Sequence, residues 1–295
     1  MNPPAELERR NPAAGANRQT EDLRLITINT WKCDGAYQKR VEIMIAQLRE
    51  LKPDVVCCQE VFQSADRVSD TGRMLAKRLN MTLYYVPARK KMRPFKNRSI
   101  LGCSGLAILS RWRVVSSNAV FLTTHDLDHD RRAQFVVLSS GSCRALIINT
   151  HLTHLPQATH IRKLQIAAIL AHPWLWRKYQ AVLLCGDFNA QPAAPEMVDL
   201  CNSRDLSAMD LGPRQDNGRH VPTYPSHGEP AGQAHKLKCL DYIFSLCRQG
   251  QFHPQVRRAQ IALDQPSAEG FFASDHKAVL VDLRIQLEKD RPHGR

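Results

Sequence analysis

The sequence lacks a long apolar run, a paired-cysteine motif and an apolar amino-terminal segment. It has no stretch of about 18 consecutive apolar residues, so we expect no membrane-spanning helix. None of its nine cysteines has the CxxC spacing of a zinc site. The start of the chain is polar and contains Pro3, Pro4 and Pro12, which is unlike a secretory signal. Buried, reduced thiols and the missing signal together predict a cytoplasmic protein.

Acidic residues are also scarce, with 28 aspartates and glutamates against 41 lysines and arginines. The formal net charge of +13 favours phosphate-bearing partners such as nucleic acid, phospholipid head groups or soluble phosphoesters. Net charge does not choose among these partners, and a basic protein without an anionic partner is an alternative interpretation. The hydrophobic fraction of 43% is ordinary for a globular protein.

Strand-like and helix-like segments follow one another from residue 23 to residue 285. Residues 23–29 have the composition of a strand, and Val41, Met44 and Leu48 then recur at helical spacing. Some of the later strands are joined by helices and others by hairpins. This pattern predicts two packed mixed β-sheets flanked by helices. We divide the chain into a disordered lead-in (1–22), a catalytic domain (23–286) and a charged tail (287–295).

Polar side chains stand where several of the apolar strands end. They are Asn29, Glu60, His151, Asp187, Asn189, Asp241, Asp275 and His276. Because strand ends in layered α/β proteins share an edge, we expect these groups to converge. Glu60 and Asp275 are hard oxygen donors and Asn29 adds a neutral one, a set that suits Mg²⁺, with Mn²⁺ as a substitute.

The remaining polar groups suit phosphoryl chemistry. His151 and His276 can donate to phosphate oxygens or to a leaving group, and Asp241 can orient one imidazole. Asp187 and Asn189 can bind and deprotonate a water molecule. Each residue alone is as easily explained as a turn or helix-cap residue. The ordered set is what predicts a metal-dependent phosphoester hydrolase.

The same residues, in the same order, resemble the endonuclease/exonuclease/phosphatase superfamily. The resemblance covers about residues 23–285. It rests on Asn29 with Trp31, Gln59-Glu60, Ser104 to Ser110, Asn149 to Leu152, Gly186 to Asn189, Leu240 to Phe244 and Ser274 to His276. It implies the deoxyribonuclease I-like fold, a four-layer α/β sandwich.

The resemblance also implies roles for these residues. Asn29, Glu60 and Asp275 are expected at the metal site, and Asp187 is expected to activate water. Asn189 is expected to orient water or phosphate. His276, paired with Asp241, is expected to bind phosphate, and His151 is expected to be the second active-site histidine.

The substrate stays open at this point. The segment Leu240-Asp241-Tyr242 differs from the Cys-Asp-Arg of inositol polyphosphate 5-phosphatases, and Trp31 replaces an aspartate typical of apurinic endonucleases. Leu240 to Phe244 is similar to segments of sphingomyelinases and poly(A) deadenylases. We therefore predict a monomeric Mg²⁺-dependent phosphodiesterase that acts on nucleic acid, a phospholipid or a small phosphodiester. A phosphomonoesterase, or an inactive relative that binds nucleic acid or membrane, is the alternative.

Four features have a functional and a plainer interpretation. Arg132 is predicted to contact substrate phosphate or to be a solvated basic turn. Residues 89–98 are predicted to form a basic loop that contacts nucleic acid or anionic lipid, or that is only solvated. Arg162 and Gln165 are either a sphingomyelinase-like signal or an exposed helix face. The polar segment 212–238 is predicted to be a lid or a disordered loop.

Overall fold

The structure is a computed structural model that describes residues 20–203, 205–226 and 237–287. The strands are β1 (Thr20–Asn29), β2 (Val55–Ser64), β3 (Thr82–Phe95), β4 (Arg98–Ser110), β5 (Arg113–Phe121), β6 (Arg132–Ser140), β7 (Cys143–His151), β8 (Ala181–Asp187), β9 (Ser207–Asp210), β10 (Asp241–Cys247), β11 (Gln255–Ala262) and β12 (Ala278–Gln286). The helices are α1 (Tyr37–Leu51), α2 (Thr71–Leu79), α3 (Thr159–Leu170) and α4 (Pro195–Cys201), with a 3-10 turn at Pro173–Trp176.

The strands form two six-stranded mixed sheets. The first has the order β11-β12-β1-β2-β4-β3, and the second has the order β5-β6-β7-β8-β10-β9. The chain builds most of the first sheet, then the whole second sheet, and returns to the first with its last two strands. The predicted sandwich of two packed mixed sheets is confirmed.

Three apolar clusters hold the layers together. The central cluster fills the space between the sheets and includes Leu25, Val136 and Leu183. A second cluster lies between the first sheet and helices α1 and α2, where the predicted helical face with Met44 and Leu48 is buried. The third cluster packs α3 and α4 on the second sheet. Central strands are thus covered on both faces, which explains their nearly continuous apolar sequences.

The first and last described strands pair with each other. β1 and β12 are antiparallel, with Thr20 opposite Gln286. The predicted lead-in is therefore too long, because residues 20–22 already belong to β1 and bond to β12. The rest of the predicted lead-in (1–19) and residues 288–295 of the predicted tail lie outside the described residues.

The predicted basic loop is a long β-hairpin. Residues 89–98 span the end of β3, a two-residue turn and the first residue of β4, paired up to Phe95 opposite Arg98. The loop prediction was wrong because the segment carries lysines and arginines where a strand usually carries apolar residues. Its side chains still alternate between two faces, as a strand requires.

A buried amide pair joins the two sheets beneath the polar edge. Gln59 Nε2 donates to Asn149 Oδ1 at 2.7 Å, and Asn149 Nδ2 donates to the carbonyl oxygens of Cys58 and Ala107. Since a buried amide is costly unless it is hydrogen-bonded, these contacts fix the register of β7 against β2 and β4.

Among the described residues, no helix is both long and apolar enough to cross a lipid bilayer.

Candidate active site

The topology brings the predicted polar residues to one edge of the sandwich. Asn29, His151 and Asp187 are the last residues of β1, β7 and β8. Asp241 begins β10, which runs antiparallel to β8, so it lies directly opposite Asp187. His276 stands just before β12, which runs antiparallel to β1. Strands of either direction therefore place their polar ends at the same edge.

Asp187 is the centre of this group. Asn29 Nδ2 donates to its Oδ2 at 3.0 Å, His151 Nε2 lies 3.3 Å from the same oxygen, and His276 Nε2 lies 3.9 Å from it. Burial opposes ionisation of Asp187, but the two histidines and Asn29 outweigh it and hold the pKa of this carboxyl well below its usual range. Asp187 is therefore a buried, ionised carboxylate.

His276 is held between two carboxylates. Its Nδ1 lies 2.8 Å from Asp241 Oδ2, and the Tyr224 ring packs against it at a centroid distance of 4.9 Å. Burial disfavours the imidazolium, but Asp241 and then Asp187 raise the pKa of His276 to about 10. His276 is therefore a cation at neutral pH.

The pKa of His151 shifts in the opposite direction to that of His276. Its pKa is lowered by burial and by the nearby Arg131, against the opposing effect of Asp187. A neutral imidazole with its proton on Nε2 donates to Asp187. The site thus pairs one charged and one neutral histidine on a single carboxylate.

Backbone conformation fixes the turn that carries Asp187 and Asn189. Gly186 has φ +148°, and a Cβ there would lie 2.0 Å from the carbonyl oxygen of Thr150, so only glycine fits. The Asn189 backbone N–H donates to Asp187 Oδ1 at 2.9 Å, and its side chain donates to the carbonyl oxygen of Leu152 at 3.1 Å. Asn189 thus contacts Asp187 through its backbone rather than its amide.

Glu60 and Asp275 form the acidic part of the site, beside Asn29. Glu60 has φ +54° at an irregularity between Cys58 and Val61, a distortion of the kind that redirects a strand side chain. The pKa of Asp275 is raised to about 6, first by burial and then by the negative charge of Glu60. These two carboxylates therefore repel each other.

The acidic part of the site fits a divalent cation. Lys32 Nζ lies 2.9 Å from Glu60 Oε2, so this carboxylate already pairs with a cationic group. Asn29 Oδ1 accepts from the Trp31 backbone N–H at 3.0 Å and keeps a second lone pair. Two repelling carboxylates and a neutral oxygen are the donor set that Mg²⁺ prefers.

Asp187, Asp241 and His276 also come close enough together to hold a metal ion, with ligand atoms within 4.8 Å of one another. Nδ1 of His276 lies 2.8 Å from Asp241 Oδ2, and its Nε2 lies 3.9 Å from Asp187 Oδ2. In this arrangement the imidazole joins the two carboxylates.

Arg132 lines the same cleft, which has a volume of about 430 Å³. Its guanidinium carbon lies 3.2 Å from the centroid of the Phe121 ring, and its Nε is buried without a hydrogen-bond partner. The solvated-turn interpretation of Arg132 is wrong, because the side chain is packed and faces the cleft.

Arg162 and Gln165 do not form an exposed helix face. Both are buried, with exposed fractions of 4% and 0%. Arg162 pairs with Glu196 and donates to the carbonyl oxygens of Thr153 and Leu155, while Gln165 accepts from the Thr153 backbone N–H. These hydrogen bonds hold the segment that follows His151 in place.

Sequence reasoning missed several residues of the cleft. Lys32, Arg131 and Tyr224 line it, and the buried Asp128 pairs with Arg131. Tyr224 is the only Phe, Tyr or Trp in the mainly polar segment 212–238, and that contrast was a usable signal. Residues 227–236 of the predicted lid lie outside the described residues. Lys32 and Asp128 gave no signal, because the burial of Asp128 and the contacts of these residues with Glu60 and Arg89 depend on segments that are distant in sequence.

A family model for the endonuclease/exonuclease/phosphatase family matches residues 26–276, a range that includes every residue of this site, from Asn29 to His276. The chain belongs to this family. Its members are generally phosphoric ester hydrolases, and the resemblance inferred from the sequence is confirmed.

Solved structures of family members share the fold. An endonuclease/exonuclease/phosphatase from Beutenbergia cavernae is 21% identical, with a TM-score of 0.67 and coverage of 90% of this chain and 72% of that chain. The human Nocturnin catalytic domain with bound sulfate is 20% identical, with a TM-score of 0.65 and coverage of 91% and 99%. D. rerio TDP2 complexed with a single-strand DNA product is 15% identical, with a TM-score of 0.65 and coverage of 89% and 98%. A search of curated protein sequences found no significant match.

Proposed function

We propose that this family member is a Mg²⁺-dependent phosphodiesterase that cleaves its substrate by attack of a water molecule. The observation that carries the proposal is the convergence of Asn29, His151 and His276 on Asp187 Oδ2. An ionised carboxylate surrounded by donors is equipped to orient a nucleophile beside a phosphate group.

Asp187 is the proposed base for the attacking water. Asn29 and neutral His151 donate to one of its oxygens, and the Asn189 backbone N–H donates to the other. These bonds fix the direction in which the carboxylate accepts the water proton. The Asn189 side chain helps to hold the turn through its bond to Leu152.

His276 is the proposed partner of the phosphate oxygens. Its imidazolium offers an Nε2 proton on the cleft side, while Asp241 holds Nδ1. A positive charge that is already in place stabilises the negative charge that develops around the pentavalent phosphorus, and the protein does not have to reorganise during the reaction. Arg132 is proposed to bind a phosphate oxygen from the other wall of the cleft.

Asn29, Glu60 and Asp275 are the residues proposed to hold Mg²⁺, and Mn²⁺ satisfies the same oxygen donors. A divalent ion held by these residues would supply positive charge to the substrate phosphate and so lower the barrier to attack. Lys32 provides a further positive charge beside Glu60.

Hydrolysis of bis-p-nitrophenyl phosphate and p-nitrophenyl phosphate tests this function, with Mg²⁺ or EDTA present. We expect diester cleavage that requires Mg²⁺ and falls by roughly 10²–10⁴-fold in Asp187→Asn, the range for removal of a general base. Asp199→Asn, a change at an exposed carboxylate paired with Lys163, is the matched control and retains activity.

Three other outcomes would contradict the proposal. Preference for the monoester would indicate a phosphatase. Equal rates in Asp187→Asn would exclude Asp187 as the base. Absence of turnover of diesters, nucleic acids and sphingomyelin would favour a family member that only binds phosphate-bearing partners.

A further inference from the structure

One wall of the cleft is built from alternate residues of β3. Arg89, Lys91 and Arg93 line the cleft, whereas Lys90 and Met92 between them do not. The period of two is that of a strand whose successive side chains point to opposite faces. Arg131 and Arg132 continue this positive surface from the second sheet.

A single buried aspartate forms ion pairs with two of these arginines. Asp128 Oδ1 lies 3.3 Å from Arg89 Nη1, and Asp128 Oδ2 lies 2.8 Å from Arg131 Nη2. Asp128 also accepts from the Thr153 hydroxyl at 2.6 Å. Arg89 and Arg131 therefore have a structural partner that accounts for their positions.

Arg93 has no such partner among the described residues. It is only 4% exposed, its Nη2 donates to the Ser104 hydroxyl at 2.8 Å, and its Nε is buried without a hydrogen bond. No carboxylate of the part of the chain that the structure describes lies within ion-pair distance of it. A buried guanidinium with one neutral partner is costly unless an anion joins it.

Lys91 adds a second positive charge to this wall of the cleft, at its solvent-exposed rim. Its side chain is exposed, and burial, Arg93 and Arg89 together lower its pKa. A lysine whose nearest charges are mainly positive lies in a positive potential, which attracts anions.

The bonding partner of Arg93 lies on the strand next to the one that carries Glu60. Ser104, which accepts from Arg93, is opposite Phe62 of β2, two residues beyond Glu60. Two residues along β2 and one strand spacing from β2 to β4 together place Ser104 roughly 8 Å from Glu60. An anion bound by Arg93 would therefore lie beside the proposed scissile phosphate and not on it.

We propose that Arg93 and Lys91 form a subsite for a second phosphate group of the substrate. This inference rests on the proposed function for the position of the scissile phosphate. It narrows the substrate to phosphodiesters that carry another phosphate nearby, as successive phosphates of a nucleic-acid strand do. Arg93 supplies the buried, preorganised charge, and Lys91 supplies a mobile one at the rim.

The test compares two chromogenic esters that differ only in a second phosphate. They are the p-nitrophenyl ester of thymidine 5′-phosphate and the same ester with an added 3′-phosphate. We expect wild-type kcat/KM to be about 10–100-fold higher for the bisphosphate, the range for a charge-assisted hydrogen bond. In Arg93→Gln this ratio should fall to about 1–3, and in the exposed variant Lys91→Gln it should fall severalfold.

Lys90→Gln is the matched control, because Lys90 belongs to the same strand and points away from the cleft. Its ratio should equal that of the wild type. Circular dichroism and melting curves show whether Arg93→Gln folds, and Lys91→Gln decides the question if it does not. A wild-type ratio near 1, or an unchanged ratio in both cleft variants, would overturn the subsite.

A binding measurement separates this inference from the proposed function. In EDTA, inorganic pyrophosphate should raise the Tm of the wild type and of Lys90→Gln more than that of Lys91→Gln and Arg93→Gln. This difference would support the subsite even if neither ester were hydrolysed, and equal shifts in all four proteins would exclude it.

A second pair of esters identifies the source of the second phosphate. Glycerophosphoinositol is compared with its 4,5-bisphosphate, which presents the phosphates of a lipid head group. A gain confined to the thymidine pair supports a nucleic-acid strand. A larger gain for the inositol pair would retain the subsite and assign it to a head group.

Discussion

Ion pairs and hydrogen bonds hold several individual residues of the cleft in place. Asp128 is the strongest case, since it is fully buried and lies within bonding distance of Arg89, Arg131 and the Thr153 hydroxyl. Burial opposes its ionisation, but His154, Arg131 and Thr153 hold the pKa of Asp128 well below its usual range. Asp128 therefore fixes the segment that packs against the residues after His151.

Asp128→Asn should destabilise the protein by about 3 kcal/mol at pH 7, because it leaves two arginines without their counter-charge. A depressed carboxyl pKa contributes stability above the unfolded pKa of about 4, and that stability is lost as pH falls below it. The difference in unfolding free energy between wild type and variant should therefore shrink from pH 6 to pH 3.

Urea unfolding at pH 6, 4.5 and 3 measures this difference. Asp126→Asn, in the same segment but exposed, is the control and should leave stability nearly unchanged. A difference between Asp128→Asn and wild type that is constant with pH would show that lost packing, not lost charge, causes the destabilisation.

Sequence reasoning worked best for residues that end an apolar strand. Asn29, His151 and Asp187 were predicted to converge because each follows such a run, and the structure brings them together. Lys32, Asp128 and Arg93 could not be found in the same way. Their roles depend on whether the fold brings an oppositely charged side chain close to them, and the local sequence around each residue does not indicate this.

Helices α3 and α4 carry two ion pairs that differ in burial. Arg162 and Glu196 are almost fully buried, whereas Lys163 and Asp199 are 41% and 61% exposed, with Nζ and Oδ2 2.6 Å apart. The buried pair also holds the carbonyl groups of Thr153 and Leu155. The same two helices thus offer a test pair and its control.

Glu196→Gln should cost about 3–5 kcal/mol of unfolding free energy, because it leaves the Arg162 charge buried and uncompensated. Asp199→Asn should cost less than about 1 kcal/mol, since an exposed pair is screened by solvent. Urea denaturation of both variants measures the contrast, and equal effects would show that burial does not distinguish the pairs.

The β3–β4 hairpin shows why one element was predicted wrongly. A strand is recognised from alternating apolar and polar residues, and here both faces carry polar or charged side chains. In the structure the side chains nevertheless alternate: Arg89, Lys91 and Arg93 line the cleft, and Lys90 and Met92 between them do not. Because Lys90 is charged like its neighbours Arg89 and Lys91, neither charge nor hydrophobicity alternates clearly along this segment.

At the scale of the whole molecule, a bound ion should couple the site to global stability. Glu60 and Asp275 repel each other, and a divalent cation between them would remove that repulsion. A ligand that binds only the folded state stabilises it by about 2.7 kcal/mol at 100 times its Kd.

Mg²⁺ should therefore raise the Tm of the wild type relative to EDTA, and this shift should be lost in Glu60→Gln and in Asp275→Asn. Differential scanning calorimetry measures the shift without any substrate. Asp199→Asn should behave as the wild type does. An undiminished shift in both site variants would place the ion elsewhere.

The pairing of β1 with β12 brings together the first and last strands of the part of the chain that the structure describes. Thr20 and Gln286 are cross-strand partners, so their Cα atoms lie about 5 Å apart and a few glycine and serine residues would connect them. The exposed turn at Gly141 and Ser142 joins β6 to β7 at the edge opposite His151. A circularly permuted chain that starts at Ser142 would keep every strand neighbour and present the same cleft, although the order of its site residues along the chain would be changed.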